Sequence, residues 1–167
     1  MDKWDLQWGV QRSQRYHARR TAFFDRWHKG TAFAGIVGGS AVFAAIGNAV
    51  PAWVATAGAA MVVAMCAIDL VVDTAGMART HNDLRRRFCQ LEADMAAAGQ
   101  DASQEQLAAW LQQRLAIESD EPPHYAALNV LCDNELARSY RHLKQQQPHH
   151  IPWFQRMTAH LLRWENA

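Results

Sequence analysis

Between Lys29 and Asp69 the chain carries no Asp, Glu, Lys or Arg, a charge-free run of 39 residues. A helix that faces water keeps a polar stripe, with charged residues returning every turn or so. This run has no such stripe. It is also about twice the ~20 apolar residues that cross a bilayer once. All 33 formal charges of the 167-residue chain lie outside it. The whole-chain mean hydropathy of −0.27 therefore averages over two sharply different kinds of sequence.

The run is divided by Gly47-Asn48-Ala49-Val50-Pro51, a turn without charge. Two spans follow, over about 31–47 and 52–72, with Pro51 at the start of the second, where its missing N–H costs nothing. Lys3, Arg12, Arg15, Arg19, Arg20, Arg26 and Lys29 precede the run, and Arg79, Arg85, Arg86 and Arg87 follow it. Basic residues beside membrane spans favour the cytoplasm. Both flanks are expected inside and the short turn outside. The first 29 residues are charged throughout, unlike a cleavable signal peptide.

The first helix is expected from near residue 4 to residue 47, with Tyr16, Arg20, Phe23 and Trp27 on one face. No proline interrupts the sequence between Pro51 and Pro122, and Gly99 is a natural stop, so the second helix is expected to run unbroken over 52–98. At 1.5 Å per residue that is roughly 70 Å, far more than a bilayer holds. Its cytoplasmic part carries Met77, His81, Leu84, Phe88, Leu91 and Met95 at heptad spacing, a seam for the returning N-terminal segment. With the turn centred near Ala49, Asp69 falls level with Lys29, Asp73 near Arg26, Asp83 with Arg15, Met95 beside Trp4, and His17 with His81. The fold class expected is an all-α membrane protein. A long antiparallel transmembrane hairpin over 1–98 extends into the cytoplasm, and a cytoplasmic helical region follows over 99–167.

In that second region Ser103 and Gln106 have the spacing of a capping box. Leu107, Trp110, Leu111 and Leu115 follow as an apolar face. Pro122-Pro123 ends that helix. Another is expected over 124–146, with Leu128, Leu131, Cys132, Glu135 and Leu136 near one face. After Pro148–Pro152, residues 153–164 place Phe154, Met157, Leu161 and Trp164 on one stripe. That stripe suits either a membrane surface or ordinary packing on neighbouring helices.

Few residues suggest chemistry. Asp69 and Asp73 share a helix face at the inner end of the second span. An acid in a membrane helix usually faces protein or water. The pair is a candidate for the lining of a cation path, or for a strut to Lys29 and Arg26; Arg15 and Asp83 are a further salt-bridge candidate. Gly35 and Gly39 form a GxxxG pair that lets helices approach closely in lipid. Arg85, Arg86 and Arg87 are candidates for lipid headgroups, with nucleic acid or a solvated helix face as the alternatives. The three cysteines are far apart and lack CxxC spacing, so no disulfide framework is expected. His149-His150 has no Cys or acidic neighbour to complete a metal set. No phosphate loop, nucleophile elbow or zinc motif is present in the sequence. No enzyme, cofactor, metal or nucleic-acid partner is expected.

The pre-span segment Arg15-Tyr16-His17-Ala18-Arg19-Arg20, the tight hairpin, and Ala78-Arg79-Thr80-His81-Asn82-Asp83-Leu84 running on to Phe88 and Leu91 together resemble the SLATT-type two-transmembrane domains of bacteria. The resemblance covers roughly residues 8–98. It implies a pore-forming membrane effector of phage defence or regulated cell death, some members of which operate with nucleotide-generating or nucleotide-sensing partners. The expectation is a homo-oligomer in the bacterial inner membrane, both termini cytoplasmic, that forms or gates an ion pathway. Its partners would be the bilayer, further copies of itself and a cytoplasmic regulatory protein. The alternatives are a membrane-anchored helical scaffold for a cytoplasmic partner protein, and a soluble bundle with a buried apolar hairpin.

Overall fold

The computed structural model describes residues 2–47, 51–99, 101–140 and 148–164. The described residues are all-helical, without strands. The helices are α1 (Lys3–Ile46), α2 (Ala52–Val72), α3 (Thr74–Ala97), α4 (Gln104–Glu118), α5 (Ala126–Ser139) and α6 (Trp153–Thr158). The expected turn at Asn48, Ala49 and Val50 lies outside the described residues, as does the 141–147 part of the helix expected over 124–146. The chain divides into two compact units, one of Met1–Arg20 with His81–Ala167 and one of Thr21–Thr80.

The first unit is built on the heptad seam. His81, Leu84, Phe88, Leu91 and Met95 are all buried on α3. Leu84, Phe88, Leu91 and Met95 pack with Leu6 and Val10 of α1 and with Trp110 and Ile117 of α4. Each such side chain contributes about 1.5–3 kcal/mol when fully buried. Polar ties fix the register: Gln11 Nε2 donates to Glu92, and Gln14 Nε2 donates to Glu92 Oε2 at 2.8 Å and to the Phe88 carbonyl at 3.1 Å. Trp4 lies edge-on against Tyr140, 5.1 Å between ring centres, and beside Trp8.

The capping box forms on α4. Ser103 Oγ accepts from the Gln106 N–H at 3.2 Å, and the Ser103 N–H donates to Gln106 Oε1 at 2.9 Å. The buried face of α4 differs from the expected one. Leu107 and Leu111 are partly buried and Trp110 is buried, but Leu115 is 55% exposed and Ile117 takes the inner position. The helix expected over 153–164 stops at Thr158. Trp164 turns back, donating from Nε1 to Thr158 Oγ1 at 3.2 Å and stacking edge-on against Phe154.

In the second unit α1 and α2 pack through small residues. Gly38 is buried, and a Cβ added there would stand 2.6 Å from Val62 Cγ2. Outward-facing side chains are large and apolar: Leu70 is 83% and Val71 85% exposed, and Phe33, Ile36, Ile46, Trp53 and Val63 are exposed as well. The helix expected unbroken over 52–98 is interrupted at Asp73, whose backbone is left-handed with φ 48° and ψ 58°. Asp is among the few residues that tolerate this conformation singly. Its carboxylate then caps α3, accepting from the Gly76 N–H at 3.0 Å. A Cβ at position 76 would collide with that carboxylate, so the cap depends on glycine there.

Candidate functional site

Two polar constellations stand out, one in each unit. In the Thr21–Thr80 unit, Asp69 sits near the end of α2 and is fully engaged. Its carboxylate accepts from Thr74 Oγ1 and faces His28 Nδ1 at 3.1 Å. The partner on α1 is thus His28, not Lys29. Lys29 pairs within its own helix with Asp25 at 2.9 Å, the helical i, i+4 arrangement. Asp73 does not reach Arg26, because its side chain is turned back onto the start of α3. Asp69 and Asp73 therefore have separate jobs, although they are four residues apart: the left-handed turn puts them on different local frames.

The other expected residues fall as follows. Arg15 reaches the Gln11 carbonyl and Ser139 Oγ, and no ion pair joins it to Asp83 among the described residues. Gly35 and Gly39 have open space where a Cβ would go, while Gly38 makes the contact within the chain. Of the arginine run, Arg87 is tied to Asp120 at 2.6 Å and Arg85 to Asn82 at 3.3 Å, which leaves Arg86 as the exposed one.

The second constellation is buried in the other unit. His17 of α1 and His81 of α3 face each other through their Nδ1 atoms at 2.9 Å. His17 Nε2 lies 3.0 Å from Glu121 Oε1, and Glu121 also pairs with His124. The side chains of His17 and Glu121 are 0% and 1% exposed, whereas that of His124 is half-exposed. Around them, Tyr16 Oη accepts from the Tyr125 N–H at 3.1 Å, and Phe88 stacks on His17 with ring centres 5.6 Å apart.

The protonation of this chain of groups follows from its geometry. Burial alone would raise the Glu121 carboxyl, but hydrogen bonds from His124 and His17 outweigh it and hold the group at about 2. A carboxylate only accepts, so His17 carries a proton on Nε2. The two facing Nδ1 atoms then need one proton between them. A second would set two N–H groups against each other. Burial, aided by the neighbouring His17 and Arg20, accordingly pushes His81 down to about 3. The hydrogen bond to Glu121 chiefly raises His124 above the ordinary imidazole value, against the pull of desolvation. The arrangement links a half-exposed imidazole to a buried pair through one carboxylate, and the buried pair holds at most one added proton.

Sequence spacing placed His17 level with His81 but gave no sign of Glu121 or His124. Those two flank Pro122-Pro123, in a segment without periodicity. Among the described residues no group of three His, Cys, Asp or Glu is placed to hold a metal ion. Cys132 is buried and its thiol is raised to about 12, chiefly by burial. No protein-family model, curated protein or solved structure matches the chain.

Proposed function

We propose that this chain is an integral membrane protein whose α1 and α2 form a transmembrane hairpin, and that copies of it assemble to form or gate an ion pathway. One observation carries the reading. Both helices are long and apolar enough to cross a bilayer, and only 6% of the most apolar stretch of each is buried within the chain. The core helix of a soluble protein hides such a stretch; here it faces outward. Lipid is the solvent that suits it.

The hairpin is supported by the order of contacts, His28 with Asp69 and Gly38 with Val62. The assembly is supported by the open small-residue positions Gly35 and Gly39, which the chain's own packing leaves uncovered. A single two-helix hairpin cannot enclose a pore, so a pathway requires several copies. The basic flanks favour cytoplasmic termini, and the resemblance to SLATT-type domains favours a bacterial inner membrane and an effector role in defence or cell death.

A second reading has an observation in its favour. The engagement of Asp69 by Thr74 and His28 suits a strut, and a strut serves a membrane-anchored scaffold as well as a channel. Ion flux from liposomes reconstituted with the full chain separates the two. A pathway empties an imposed cation gradient. A scaffold inserts and leaves the gradient intact.

A further inference from the structure

A cavity of about 400 Å³ opens between α5, the 148–151 segment and the C-terminal turn of the first unit. Its wall is cationic. Arg19 is neutralised by Glu135, but Arg138 and Arg156 have no acidic partner among the described residues. His149 and His150 complete the rim. The segment carrying them is pinned by one buried side chain: Asn134 Nδ2 donates to the His149 carbonyl at 2.8 Å and Asn134 Oδ1 accepts from the His149 N–H at 2.7 Å. Two arginines on a concave wall, without an acidic partner among the described residues, match a phosphate group.

Beside this cavity α6 and the following turn present an apolar ledge. Trp153 is 72% and Met157 73% exposed, with Phe154 and Leu161 alongside. The ledge carries Arg156, which also lines the cavity. An anionic headgroup site edged by exposed Trp, Phe, Leu and Met has the chemistry of a membrane interface. Arg20 Nη1 donates to the His160 carbonyl at 2.8 Å, which ties this segment to α1. The charge-free run begins ten residues further on in the sequence, a length of chain that spans at most roughly 35 Å.

We propose that the cavity of Arg138 and Arg156, with the ledge of Trp153, Phe154, Met157 and Leu161, docks on the anionic leaflet of the bilayer, the phosphate of one phospholipid entering the cavity. The inference rests on the membrane reading above. It assigns a lipid contact to the C-terminal segment, separate from the spans. Among the described residues neither arginine has an ion pair to lose, so their replacement tests binding with the unit's own ion pairs intact.

The test is hydrogen exchange of the 151–164 amides, read by mass spectrometry on the full chain in nanodiscs. Discs of phosphatidylcholine are compared with discs containing phosphatidylglycerol. The wild type is expected to exchange more slowly in the anionic discs, by about fivefold for each arginine engaged. The double variant R138Q/R156Q is expected to lose that difference. Equal exchange of the wild type in both discs overturns the docking. So does protection reproduced in phosphatidylcholine discs by inorganic phosphate, which would make the cavity a site for a soluble anion. A chain recovered outside the discs overturns the membrane reading itself, an outcome distinct from the other two.

Discussion

Acidification should weaken the first unit through His81. An unfolded chain takes up a proton on this imidazole near the ordinary value of 6.5, whereas the folded chain resists down to about 3. In that window the unfolded state binds more protons, so stability falls as pH falls. His81 contributes its full share above 6.5 and loses it progressively towards 3. Between about pH 7 and about pH 5.5 the expected loss is about 1 kcal/mol. His124 acts with the opposite sign. Its raised value stabilises the fold below 6.5, and that contribution is lost as pH rises through the folded value. Being half-exposed, it tempers the His81 effect without cancelling it. The measurement is the urea midpoint of the full chain in detergent micelles, followed by the fluorescence of Trp4, Trp8 and Trp110. His81→Gln keeps an N–H for His17 but does not titrate, so its midpoint should fall less over the same range. His124→Gln should steepen the fall. A His81→Gln protein with the wild-type pH slope would refute the assignment of the proton deficit to this pair.

Other changes probe the helices directly. Asp73→Ala removes the α3 cap and with it the side-chain hydrogen bond that makes the left-handed conformation tolerable at this position, at a cost of about 2 kcal/mol; Asp73→Gly should recover about half of it, read as thermal midpoints by circular dichroism. Gly38→Leu drives a side chain into Val62 and should cost about 1–3 kcal/mol by overpacking, or reduce the yield of inserted protein. An added Cβ at Gly35 or Gly39 meets nothing within the chain, so Gly35→Leu with Gly39→Leu should leave helicity unchanged but shift native mass spectra from oligomer towards monomer. Reporters fused to either terminus in a bacterial host should both read cytoplasmic; a periplasmic C-terminus would defeat the hairpin.

Much of the fold was legible in the charge pattern. The missing charges between Lys29 and Asp69 marked the two apolar helices, and the heptad residues from His81 to Met95 marked the buried seam. Ser103 and Gln106 announced the start of α4, because a capping box is a local arrangement. What escaped depends on side chains competing for partners. The interruption at Asp73 was hidden because no proline or glycine stands at the turn itself; the acid makes the turn by capping the next helix, with Gly76 leaving room for its carboxylate. Asp69 was legible as an acid at the inner end of the second span, but its choice of His28 over Lys29 depends on rotation about the helix axis, which register alone does not fix. The His17–Glu121 link was invisible because it joins residues 104 apart in the chain, and Glu121 meets His124 only because the chain bends at Pro122-Pro123. The C-terminal helix was overestimated because an apolar stripe continues through Leu161 and Trp164 after the helix itself has ended at Thr158.

Copies of this chain are proposed to conduct ions across a bilayer, and planar-bilayer recording of the purified full chain, with Asp69→Asn alongside, measures that conduction. Discrete, cation-preferring conductance steps are expected in the wild type. Asp69→Asn is expected to show a weaker cation preference, with assembly preserved. Inserted protein that passes no current at any applied potential would contradict the proposal and leave the membrane-anchored scaffold standing.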